Sequence, residues 1–155
     1  SLDIVQWALQ QNDPAAWSTS GSSQHEEALA LVQQCDGEFK QHLDRYKYPN
    51  RYDLPDGLAH RQGGSEFLEL LNTRLSQTAG LMGPQWCWVD AAIAPFVRQF
   101  ARTDREWFDA QAWLPLQNWL TQFENSEAYA VVMHKYKVWH HDARPVAFPA
   151  TSSIN

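Results

Sequence analysis

Two cysteines, six histidines and two arginines on one apolar stretch are the residues of this 155-residue chain whose types could do chemistry. Cys35 and Cys87 stand far apart in no metal-like or redox spacing, which reads as two free thiols of a reducing compartment. Cys87 opens an apolar stretch. A helix start there would favour thiolate, whereas burial between Trp86 and Trp88 would raise the thiol pKa, and the second effect makes Cys87 an unreactive thiol. The histidines form no His-Glu-x-x-His pattern, and His25, His42, His60 and His134 fall on different segments, so they read as solvated or singly bonded rather than as metal ligands. His140-His141-Asp142 could take adventitious metal but opens an irregular tail, and no metal site is expected. Arg98 reads as a partner of an internal carboxylate such as Asp90, Asp104 or Glu106, while Arg102, nearer a helix end, could equally meet an anionic ligand.

The elements that must position these residues are all helical in pattern, and nothing reads as a strand. Residues 1–14 carry Ile4, Val5, Ala8 and Leu9 at helical spacing until Asn12-Asp13-Pro14 breaks it, and residues 15–22 read as a linker. Ser23 and Glu26 form a capping-box pattern that starts a long helix with the stripe Leu29, Val32, Cys35, Phe39, Leu43 and Tyr46, weakened at Gly37 and ended by Tyr48-Pro49-Asn50. A second long helix follows Pro55-Asp56-Gly57 and runs towards Gln77, with Phe67, Leu68, Leu71 and Leu75 inward and Gly63-Gly64 loosening its first half. From Cys87 to about Arg102, Val89, Ile93, Phe96, Val97 and Phe100 share one face despite Pro95, which makes this the buried centre. Trp113 to Phe123 and Ser126 to Lys137 make two further helices. The helical domain is thus residues 23–139, and residues 140–155 form an irregular tail.

Composition bounds the rest. With 44% hydrophobic and 19% charged residues the chain suits a single domain with its own core, and the eight tryptophans read as packing. A net charge of -6 with scattered basic residues argues against nucleic acid as a partner. No apolar run reaches the roughly 18 residues of a membrane span, and no secretory leader opens the chain, so a cytoplasmic protein without membrane contact is expected. The start at Ser1, without methionine and directly in helical pattern, reads as a fragment or processed piece.

The stretch Gly83-Pro84-Gln85-Trp86-Cys87-Trp88-Val89-Asp90-Ala91-Ala92-Ile93-Ala94-Pro95-Phe96-Val97-Arg98-Gln99-Phe100 resembles the buried sixth helix of glutathione S-transferases. In that family a Ser or Thr, two intervening residues and an Asp cap this helix; here Asp90 keeps the acid's place and Cys87 replaces the hydroxyl residue. The opening Ser1-Leu2-Asp3-Ile4-Val5-Gln6-Trp7-Ala8-Leu9 is similar to the last helix of the family's thioredoxin-like domain, in which Ser1 matches the serine of a Glu-Ser pair that contacts glutathione. Lys47-Tyr48-Pro49-Asn50-Arg51-Tyr52, Trp107-Phe108-Asp109 and Met133-His134-Lys135-Tyr136 are similar to a bacterial branch of the family.

The resemblance covers roughly Ser1 to Trp139. It implies an all-α, glutathione S-transferase C-terminal-like bundle of about five helices, with a remnant helix of the thioredoxin-like domain at residues 1–14. That N-terminal domain would be the partner, glutathione the co-substrate of the whole protein, a small apolar electrophile the second substrate, and a homodimer a usual assembly. The chain itself would carry no cofactor, no catalytic residue and no transferase activity alone. If the helices starting at Ser23 and Cys87 run parallel, their C-terminal ends gather Phe39, His42, Tyr46, Arg102 and Trp107 as a candidate substrate pocket. A non-catalytic protein-interaction module of the same fold is the alternative, and an unrelated cofactor-holding bundle ranks below both for want of paired ligands.

Overall fold

The computed structural model describes residues 2–18 and 22–146, the side chains of Ser22 and Ser23 apart. The proposed roles of Ser1 and of the Ser23 hydroxyl lie outside the described residues. Among these residues the chain is all-α, with no strand beyond one isolated bridge between Gly80 and Gly83. The helices are α1 (Leu2–Gln11), α2 (Ser22–Gln34), α3 (Lys40–Lys47), α4 (Leu58–Leu75), α5 (Trp88–Ala101), α6 (Arg105–Asp109), α7 (Leu114–Glu124) and α8 (Glu127–Val132). A π-helical turn, Cys35–Phe39, joins α2 to α3 as one continuous rod, and a 3₁₀ turn, Pro49–Tyr52, follows α3. The chain divides into two compact units, Ser1–Leu120 and Thr121–Asn155.

In the first unit the order of contacts fixes direction. His25 of α2 meets Trp88 at the head of α5, and Lys47 at the end of α3 donates to Gln99 near the end of α5 (3.1 Å), so these rods run parallel. Helix α4 runs the other way: Gly57 at its start lies against Tyr46, Phe67 packs on Phe39, and Arg74 near its end pairs with Glu27 of α2. The core is Phe39, Leu43, Leu68, Leu71, Ile93, Val97, Phe100, Leu116, Trp119 and Leu120, all essentially inaccessible.

Three expectations change here. Phe96 is half-buried, so the inward face of α5 is Val89, Ile93, Val97 and Phe100. Leu29 is also only half-buried; Ala28 and Leu31 face inward beside the expected Val32, and the π-helical turn then carries the apolar stripe on through Cys35 and Phe39. Gly63 and Gly64 do not loosen α4. A Cβ on Gly63 would run into the His42 ring and one on Gly64 would stand 2.5 Å from Phe100 Cε2, so both glycines exist for close approach.

In the second unit Ser126 caps α8 by accepting the Tyr129 N–H at 3.1 Å, and Phe123 meets Tyr129 edge-on. Helix α8 ends at Val132 rather than at Lys137. It buries none of its residues, and so short a helix has little to sustain a further turn. Residues 134–146 are irregular.

Candidate functional site

The head of α5 is organised around one carboxylate. Asp90 is fully buried: Oδ1 accepts the Leu81 N–H at 2.9 Å and the Trp119 Nε1–H at 2.8 Å, and Oδ2 accepts the Cys87 N–H at 2.9 Å. The last bond is half of a capping box whose other half sets the Cys87 sulfur against the Asp90 N–H. Burial pushes the Cys87 thiol up to about 11 and the Cys35 thiol up to about 12. Neither is a nucleophile at neutral pH. Asp90 is therefore a structural hub, its carboxylate taken up by three N–H donors.

At the opposite end of α5 the expected pocket residues divide into three groups. Phe39, Tyr46 and Trp107 come together around Phe100, at ring-centroid distances of 5.5, 4.9 and 6.3 Å. Phe39 and Tyr46 are core residues and only Trp107 is half-buried, so the first two act from behind the surface. The Tyr46 hydroxyl is buried, with the Arg61 guanidinium close by. Burial pushes its pKa up, against the pull of the nearby Arg61 guanidinium. Arg61, which the sequence reading passed over, lies 4.4 Å over the Trp107 ring and reaches Asp104 Oδ2 at 3.4 Å. Asp104 also caps α6 by accepting the Trp107 N–H at 3.0 Å, which fixes the indole in place.

His42 belongs to a second group. Its Nδ1 faces Nδ1 of His60, another residue that sequence reasoning did not place at the site, at 3.0 Å. Arg102 stands apart in the third, an open groove of about 380 Å³ lined by Lys47, Tyr48, Arg98, Gln99, Arg102 and Thr103. Arg51 lies 4.1 Å over the Tyr48 ring and Lys47 Nζ 4.9 Å over it, so this edge of the molecule is basic and aromatic. The only available sign of His60 and Arg61 was the Gly63-Gly64 pair, which marks a close approach of α4 to another element.

Among the described residues no group of three or more His, Cys, Asp or Glu is placed to hold a metal ion. His141 Nδ1 and Asp142 Oδ1 are 3.3 Å apart and fully exposed. Among the same residues no helix is long and apolar enough to cross a membrane. No family model matches the chain, and no curated protein matches it at a significant level.

Proposed function

We propose that this chain is the helical C-terminal part of a glutathione S-transferase-like protein, supplying the substrate side of a glutathione-conjugating site and inactive by itself. The observation that carries the reading is the head of α5. The segment that resembles the family's buried sixth helix is the buried centre of this fold, and Asp90 closes its cap while also holding Trp119 and Leu81. The meeting of the C-terminal ends of α3 and α5 supports the position of the substrate side, with Trp107, His42 and Arg102 reaching the surface there. Trp107, steadied by Arg61 and Asp104, would offer an aromatic face to an electrophile. A thioredoxin-like domain would bring glutathione as its thiolate, whose sulfur attacks the electrophilic carbon as the leaving group departs.

The protein made from the full reading frame, given glutathione and an aryl halide such as chlorodinitrobenzene, should form the thioether and release chloride, and this chain alone should not. A full-length protein that forms no thioether would contradict the reading and favour the interaction module instead.

A further inference from the structure

We infer that His42 and His60 form a proton-sharing pair that holds α3 against α4 near neutral pH and parts them when both rings carry a proton. The two Nδ1 atoms are 3.0 Å apart and the ring centroids 5.2 Å apart, so the nitrogens lie close to the line that joins the rings. Their lone-pair directions meet head-on, as in an N–H···N hydrogen bond. Two ligands converging on a metal beside that line would need both rings turned. A neutral imidazole has one donor and one acceptor nitrogen, so the bond requires one ring in the Nδ1–H tautomer and its partner in the Nε2–H tautomer. One added proton preserves the bond as imidazolium to imidazole, in charge-assisted form. A second leaves two Nδ1–H groups head to head, and attraction becomes repulsion.

The charges that act on His60 are His42 and Arg45, and no carboxylate is among them. Both rings are half-buried, and Gly63 lies directly against the His42 ring. On α3, Arg45 adds a like charge while Asp44 is held by Lys40 at 2.8 Å; on α4, Arg61 is turned to Trp107 and Asp104. Burial, then His42, then Arg45 hold the His60 pKa below the ordinary value of 6.5. The folded state thus binds this proton more weakly than the unfolded chain. The stability that follows is complete above the ordinary histidine pKa and is lost as the pH falls from there to the folded-state value. The strain falls on the contact between α3 and α4, at the end of the molecule that carries Tyr46 and Lys47, and it is independent of any glutathione chemistry.

Ring ¹⁵N shifts of the intact chain, followed from about pH 8 to about pH 4.5, test the pair directly. The expected result is one Nδ1–H and one Nε2–H tautomer at the start, then two linked titration steps. Amide exchange at residues 43–47, corrected for its intrinsic pH dependence, should speed up by roughly tenfold or more across the second step. In His42→Asn, His60 should titrate in a single step nearer the ordinary value, and the acid-dependent acceleration should disappear. Two Nε2–H tautomers, independent titrations, or unchanged exchange at residues 43–47 would each overturn the inference, and none of these readings needs the variant.

Discussion

Asp90 exposes no surface, and its carboxylate accepts three hydrogen bonds from three parts of the chain. Capping alone would make Asp90→Ala cost about 1–2 kcal/mol. With Leu81 N–H and Trp119 Nε1–H also left buried and unpaired, the expected loss in urea denaturation is roughly 3–5 kcal/mol. Trp119→Phe should lose about 1–3 kcal/mol, and the double variant should lose less than the sum because both act on one carboxylate. Cys87→Ser should be neutral or stabilising by up to about 1 kcal/mol, since an oxygen is the better cap acceptor. The thiols at about 11 and about 12 should resist disulfide reagents at mildly alkaline pH until the chain is unfolded. The cap of Cys87 and Asp90 was legible through the resemblance of this segment to a capped family helix. Trp119, 29 residues further on, was not legible as its partner, because nothing local ties an indole to a distant carboxylate.

The helices themselves announced their cores by period, and the rods of Leu43, Leu71, Ile93 and Leu120 lie where periodicity puts them. Rotation about each axis was less legible: Phe96 fits the stripe by spacing yet is half-buried, whereas Phe100 is buried. Phe100→Ala should therefore cost about 3–5 kcal/mol and Phe96→Ala clearly less. Glycines inside helices separate the same two levels. Gly64→Ala would push a methyl to 2.5 Å from the Phe100 ring and should destabilise by about 1–3 kcal/mol, through overpacking. Gly37→Ala in the π-helical turn meets nothing within 4 Å and should stabilise by up to about 1 kcal/mol. Two melting curves decide it: a stabilised Gly64→Ala would mean that α4 does not lie so close to α5.

At the scale of the molecule, α4 runs back between α3 and α5, which leaves those two parallel and brings their ends together, as the order of the helices implies. That much of the candidate site could be read in advance. The division of its residues could not, because a few tens of degrees of helix rotation decide whether Tyr46 lines a pocket or fills a core. His60 and Arg61 come from α4, whose register against α3 is set by glycine contacts rather than by any pattern. The part of the Trp107 ring that Arg61 leaves uncovered is the feature that an apolar substrate would use. If the proposed function holds, Trp107→Ala in the full-length protein should raise KM for an aryl halide by roughly three- to tenfold, the worth of one aromatic contact, with glutathione affinity unchanged.

The most direct measurement of the central claim is a pair of calorimetric titrations with glutathione, one into this chain and one into the protein made from its full reading frame. If the chain is the helical half of a glutathione S-transferase-like protein, the first titration gives no measurable heat of binding and the second gives micromolar to millimolar affinity at one site per chain. Micromolar binding by this chain alone, or none by the longer protein, would contradict it.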